Sequence, residues 1–565
     1  MAYQLSPGVN VSEIDLSTII PTVGTTQAGF VGTFNWGPAD VIMNISDEIG
    51  LVNTFGTPDA NTYESFFTAA NFLAYGNSLR LVRCVGTGAN NATASGSAAL
   101  QIKNKDAYEY TYLNVKTNAN TYGMFAAKYP GALGNSLKVA VCGNTAGFSS
   151  YNYASQYNSA PNTSTYAAGV GGSSDEMHIT VVDEDGVITG TANTILEKFA
   201  YVSKASDAKN ADGSSNYYVN ILNDQSKYIY AISTGVANTS DNPSWGNTAS
   251  GTAFSTRDST YSFSLSGGAD AASSDANLQT CYDRFKSPDE VDISLIMTGG
   301  SSNAVSKYVV DNIAETRKDC VVFISPAKTD VINQVGSEVT KITTTRNLYN
   351  ASSYAFMDNN WKYQFDKYNN VYRWVPLNGD IAGLCVRTDQ QRDPWFSPAG
   401  FNRGQIKNVT KLAWNATKSQ RDDLYKIGIN SVVSFQGDGV VLYGDKTMQT
   451  KPSAFDRINV RRLFIVLEKA IARAAKYSLF EFNDEFTRAQ FKSLVEPYLR
   501  DVQGRRGIFD FKVVCDTTNN TPEVIDRNEF VGDIYIKPAR SINFIQLNFV
   551  AVRTGVSFET IVGKF

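Results

Sequence analysis

Between residues 291 and 348 the chain alternates strand-length apolar runs with helix-period runs, and this constrains the fold more than any other feature. Val291-Asp-Ile-Ser-Leu-Ile-Met297 reads as a buried strand. Ser302 to Lys318 carries Val305, Val309, Ile313 and Ala314 at helical spacing. Cys320-Val-Val-Phe-Ile324 is the next strand, and Val335 to Leu348 a second helix. Strand–helix–strand–helix at this spacing predicts a parallel βαβ unit. Met297-Thr-Gly-Gly-Ser-Ser302 is the nearest approach to a glycine-rich phosphate loop, and it fits neither phosphate-binding fingerprint.

The chain is too long for one core. Its 565 residues suggest about three or four domains, and the class expected is an α/β and α+β multi-domain protein. Residues 1–25 read as an extended arm in which Leu5, Val9 and Val11 alternate with polar residues, with Pro7 suited to an edge. Residues 26–92 hold a strand from Ala28 to Phe34, a helix from Tyr63 to Tyr75 and a strand from Leu79 to Val85. From 93 to 275 Ser, Thr, Asn, Gly and Ala dominate. That stretch reads as a β-rich surface insertion, with strands expected at Met177–Val182, Tyr217–Leu222, Tyr228–Ser233 and Tyr261–Leu265. Residues 276–375 form the α/β middle domain. Residues 376–553 hold a hairpin around Gln436-Gly-Asp-Gly439 and a helix that Ser453 can cap, running to about Leu479. A second helix runs to Val502 with Pro497 as a kink and Gly504 after its end, and strands follow at Ile508–Cys515, Asp533–Lys537 and Ile542–Val552. Residues 554–565 again alternate, through Val556, Phe558 and Val562, as a terminal strand. A lone strand must find its hydrogen-bond partner elsewhere.

Composition narrows the function classes. Hydrophobic residues at 42% and charged residues at 18% are a globular balance. A formal charge of -4 argues against a nucleic-acid coat or a polybasic membrane binder. Thirty Tyr and 31 Phe favour strand-rich packing. The six cysteines are widely scattered without a CxxC pair, so buried reduced thiols are expected and no zinc site is. The amino terminus lacks a basic, then apolar leader, and no apolar run approaches the about 18 residues a membrane helix needs, so folding in a cytoplasm without membrane insertion is expected.

Catalytic chemistry finds little to stand on. His178 is the only histidine, in Met177-His-Ile-Thr-Val-Val-Asp183, without a nucleophile motif beside it, and reads as a strand residue. Asp183-Glu184-Asp185-Gly186 resembles the start of a calcium loop, but position twelve is Thr194, so an acidic turn is the better reading. Asp484-Glu485 sits at a helix start, where the dipole favours carboxylates. No catalytic residue, metal site or cofactor is expected. The helix after Ser453 is more specific. Val460, Leu463, Phe464, Leu467, Ile471 and Ala474 share one face, while Arg462, Lys469, Arg473 and Lys476 fall within roughly 60° of each other opposite it. Such a basic stripe is either a solvated face or a docking face for an acidic partner.

Several runs, in order along the chain, resemble the tail sheath proteins of contractile-tailed bacteriophages. They include Leu5-Ser-Pro-Gly-Val-Asn-Val-Ser-Glu-Ile14, Gly29-Phe-Val-Gly-Thr-Phe-Asn-Trp-Gly-Pro38 and Tyr129-Pro-Gly-Ala-Leu-Gly-Asn-Ser-Leu-Lys-Val139, where Ala132-Leu133 departs from a bulkier pair. Trp374-Val-Pro376, Trp395-Phe-Ser-Pro-Ala-Gly400, Gly428-Ile-Asn430, Asp456-Arg-Ile-Asn-Val-Arg-Arg-Leu463 and Gly555-Val-Ser-Phe558 continue the match, which is weak from about 145 to 285. The resemblance implies a discontinuous core of 26–92 and 376–553 with the middle domain and insertion as excursions. It implies a structural subunit of the virion, not an enzyme, assembled in the host bacterial cytoplasm without direct nucleic-acid contact. Copies would stack as six-fold rings around a tail tube, extended and metastable, and contract to drive the tube through the host envelope. Its partners would be itself, the tail tube protein, and baseplate and tail terminator proteins. The arms, through Leu5, Val9, Val11, Ile14, Val556, Phe558 and Val562, would link neighbours by strand addition. Arg462, Lys469, Arg473 and Lys476 would face the tube. Alternatives are the sheath of a bacteriocin-like or secretion-type device, or a carbohydrate-binding tail protein.

Overall fold

The computed structural model describes residues 24–96, 100–112, 122–232, 244–256, 258–543 and 546. The chain divides into two compact units, Met1–Glu481 and Phe482–Phe565. Among the described residues no helix is long and apolar enough to cross a membrane.

The first unit is organised by one eight-stranded sheet. Its strands in chain order are β1 (Ala28–Gly32), β2 (Ile42–Ile45), β3 (Leu79–Arg83), β4 (Leu295–Met297), β5 (Val321–Ile324), β6 (Ala355–Asp358), β7 (Ile429–Phe435) and β8 (Gly439–Tyr443). Across the sheet they run β8-β7-β6-β5-β4-β1-β3-β2. The strands from β7 to β3 pair in parallel, in registers such as Ala28↔Leu295 and Val322↔Ala355, and antiparallel β8 and β2 close the edges. Every residue of β1, β4, β5 and β6 is buried, as a sheet covered on both faces requires.

The βαβ unit is parallel, as its spacing predicts: β4 and β5 flank a helix that runs from Asn303 to Arg317 with a π turn at Val310–Ala314. The unit is not a separate domain, however. Its strands lie between β1 and β7, so one sheet draws on 26–92, 276–375 and 376–553 alike. Parallel strands read as uniform apolar runs that carry no mark of their neighbours, so the sequence boundaries at 276 and 376 do not appear as breaks. The block 376–553 divides instead between Glu481 and Phe482.

Two helices meet on this sheet at close range, α1 (Tyr63–Leu73) and α2 (Asn378–Gln391). A Cβ at Gly379 would lie 2.4 Å from the Thr68 carbonyl oxygen, and one at Gly383 2.5 Å from the Tyr75 ring. Beneath them lies a buried polar set. Lys362 Nζ and the Tyr75 hydroxyl donate to Asp380 Oδ1, at 2.9 and 3.2 Å. Ser325 Oγ donates to Asp358 Oδ2 at 2.6 Å.

The stretch from 93 to 275 builds its own antiparallel sheet, ordered (Thr194–Ser203)-(Glu176–Asp183)-(Leu137–Cys142)-(Thr260–Ser264), over a second apolar cluster that includes Val139, Ile179 and Leu222. The expected strand at Tyr217–Leu222 is a helix, Tyr218–Gln225. Tyr218, Val219, Ile221 and Leu222 bury one helical face, and an apolar run this short is ambiguous between the two periods. Arg83, at the end of β3, ties this region to the sheet: its Nε, Nη1 and Nη2 donate to the carbonyls of Phe34, Gly37 and Pro130 at 2.9, 2.7 and 2.7 Å. All six cysteines are buried and unpaired.

The second unit sets a long helix with a two-stranded hairpin whose connection carries a short helix, Pro522–Asp526. Asp484 caps the helix Glu485–Gly504, which buries Phe491, Val495, Leu499 and Val502 and continues through Pro497. The left-handed residue after its end is Arg506, not Gly504. The hairpin pairs Ile508–Val514 with Asp533–Pro538 as a two-stranded antiparallel sheet. Most of the expected strand Ile542–Val552 lies outside the described residues.

Candidate functional site

His178 is a packing residue of the 93–275 sheet. It lies in the strand Glu176–Asp183 with its ring stacked on Tyr157 at 4.1 Å. Its Nδ1 accepts from the Tyr201 N–H at 3.1 Å, and Nε2 meets the Ser159 carbonyl at 2.9 Å. Burial lowers its pKa, so the ring is a neutral packing element.

The sequence's most specific feature, the basic stripe, occupies helix α3 (Ile458–Ala475) and, at Lys476, the single turn that follows it. Ser453 caps the short turn that leads into it by accepting from the Phe455 N–H. Besides the expected apolar face, α3 buries Ile465, Val466 and Ala470, so its first half is enclosed almost all round. That enclosure changes the stripe. Arg462 is only 3% exposed. Its Nη1 and Nη2 make a bidentate pair with Asp389 Oδ1 and Oδ2 at 2.8 and 2.6 Å. Burial works against the charge on Arg462, and the Asp389 carboxylate more than offsets it, keeping the guanidinium above its ordinary pKa.

Lys469 is turned inward as well. Its Nζ donates to Asp292 Oδ1 at 2.9 Å, the Ile293 carbonyl at 2.8 Å and Ser294 Oγ at 3.0 Å, with Asp319 Oδ2 at 3.5 Å. Arg473 and Lys476 are the exposed part of the stripe, with side-chain exposures of 45% and 69% and loose pairs to Asp292 and Asp289 at 3.4 and 3.7 Å. Expecting all four to form one solvated face is therefore incorrect for Arg462 and Lys469. Carboxylates from distant parts of the chain meet them inside the unit.

The same constellation reaches the start of the described chain. Thr25 Oγ1 donates to Asp389 Oδ2 at 2.6 Å, and Ser294 Oγ donates to the Gly24 carbonyl at 3.3 Å. Sequence reasoning missed Asp389, Ser294 and Thr25. Each is an ordinary polar residue, and only the fold brings them together. The expected arm positions Leu5, Val9, Val11, Ile14, Val556, Phe558 and Val562 lie outside the described residues.

Known proteins resemble this chain along its length. The family profile described as "Phage tail sheath protein central domain" matches residues 285–448, "Phage tail sheath C-terminal domain" matches 450–551, and "Tail sheath protein Gp18 domain III N-terminal region" matches 25–84. A tail sheath protein of Vibrio phage KVP40 is 37% identical over 99% of this chain and 100% of its own. That of Enterobacteria phage T4 is 35% identical over 99% of each. That of Salmonella phage ViI is 30% identical over 99% of this chain and 98% of its own. Two solved structures share the fold at low identity. The sheath tail protein of Listeria innocua has a TM-score of 0.53 and 12% identity, covering 91% of this chain and 96% of that one. The helical sheath of the anti-feeding prophage, in its contracted state, has a TM-score of 0.51 and 14% identity, covering 97% and 99%.

Proposed function

The chain belongs to the phage tail sheath family, a structural family of the virion, and on that footing we propose that its copies form a contractile helix by exchanging terminal strands. Six-fold rings stack around the tail tube in an extended, metastable state. Contraction drives the tube through the host envelope. The three phage relatives, alike along the whole chain, favour a phage tail over a bacteriocin-like or secretion-type device or a carbohydrate-binding tail protein.

One observation supports strand exchange most directly. The sheet of the second unit has only two strands, and among the described residues its outer edges carry no third. A two-stranded sheet is marginal alone and offers two rows of backbone groups to added strands. Phe509 and Tyr535 on it are 71% and 60% exposed, so further cover suits its side chains too. The alternating arms around Leu5, Val9, Val11 and Ile14, and around Val556, Phe558 and Val562, supply strands of that kind from neighbouring copies.

Contact with the tail tube falls to Arg473 and Lys476 alone, because Arg462 and Lys469 are engaged within the unit. Baseplate and tail terminator proteins bound the helix at its ends, and assembly takes place in the host cytoplasm. Deletion of residues 1–20 tests the arm. The truncated chain is expected to keep the thermal transition of the parent and to lose tube assembly. Normal, contracting tubes from the truncated chain would refute the exchange of the amino-terminal arm.

A further inference from the structure

We infer that the buried half of the α3 stripe is a two-point clamp on the root of the amino-terminal arm. Arg462 and Lys469 stand seven residues apart, two helical turns, and so address one side of α3. Each reaches the arm root through one bridging group. Asp389 Oδ2 accepts from Arg462 Nη2 and from Thr25 Oγ1, both at 2.6 Å. Ser294 Oγ accepts from Lys469 Nζ at 3.0 Å and donates to the Gly24 carbonyl at 3.3 Å. Backbone pairing continues the hold, since the Ser294 N–H donates to the Gln27 carbonyl at 3.0 Å and the Ala28 N–H to Ser78 at 3.1 Å as β1 begins.

The placement suits a part that bears load. Arg462 and Asp389 are each 4% exposed at the side chain, so salt screens their pairing far less than a surface bridge. The clamp fixes where the arm leaves the unit, and with it the direction of any pull on the arm. It passes that pull to α3, which is largely buried within the first unit. Arg462 and Lys469 thereby act as positioning residues for subunit linkage. This rests on the proposal that the amino-terminal arm links neighbouring copies.

The full-length variant Thr25→Val with Ser294→Ala tests it, because it removes both bridging hydroxyls and leaves the Arg462–Asp389 and Lys469–Asp292 pairs in place. Three readouts are compared with the parent: melting temperature, thermolysin cleavage of the segment before Thr25, and the fraction of protein sedimenting as tubes. A near-parental melting temperature is expected. Cleavage is expected to be about fivefold faster for each hydrogen bond lost, and insensitive to salt in the parent. The tube fraction is expected to fall. Parental cleavage and parental assembly in the variant, alongside failed assembly of the chain lacking residues 1–20, would overturn the clamp alone. Normal assembly of the truncated chain would overturn the arm reading on which the clamp rests.

Discussion

Asp358, fully buried at the end of β6, is a residue whose charge responds to pH near neutrality. Burial raises its carboxyl to about 7, against the lowering effect of the Asn360 N–H and the Ser325 hydroxyl. An unfolded chain holds this group near its ordinary value of about 3.9. Between those two values the folded chain carries a proton that the unfolded chain lacks. The contribution to stability is present in full below the ordinary carboxylate range and is lost as pH rises through about 7. Within that window each pH unit changes the contribution by about 1.4 kcal/mol. From about pH 5 to about pH 8 the parent's melting temperature is expected to fall more steeply than that of Asp358→Asn. Parallel curves for the two proteins would show that Asp358 does not titrate there. Residues of this kind are the least legible in sequence. Asp358 and Asp389 look like any surface aspartate until the fold encloses them. Arg462 looks like part of a wet stripe for the same reason: helical spacing reports which residues share a face, not what that face meets.

Among the elements, α1 and α2 meet in a closely fitted contact. Gly379 and Gly383 lie one turn apart on α2 and let it approach Thr68 and Tyr75. Gly383→Ala would press a methyl group into the ring of Tyr75, whose hydroxyl donates to Asp380 and accepts from the Lys407 N–H at 2.7 Å. A loss of about 1–3 kcal/mol is expected from such overpacking, read by denaturant unfolding. An unchanged midpoint would mean that the helices part without cost. The βαβ alternation was legible at this scale because fully buried strands and an amphipathic helix leave opposite periodicities. The hairpin of β7 and β8 was legible through its Gly-Asp-Gly turn, where Gly437 and Gly439 take φ of 92° and 80°. Tyr217–Leu222 was not, because six residues are too few to separate a strand from a buried helical turn.

The whole molecule shows where local reading stops. Order along the chain suggested a core in two pieces with a middle domain set apart. The observed sheet threads all three segments, with β4, β5 and β6 in its centre. Parallel pairing places sequence-distant strands side by side, and no local pattern records that choice. The excursion from 93 to 275 packs over a second apolar cluster, to which Trp36 of the preceding segment contributes. Among the described residues the second unit holds a long helix, a short one at Pro522–Asp526 and a two-stranded sheet with two open edges. Its arrangement fits a part completed by other copies of the chain. Self-assembly is tested most directly by negative-stain electron microscopy of the purified full-length chain at rising concentration. Stacked rings or tubes are expected. A chain that stays monomeric at every concentration would contradict polymerisation as its function.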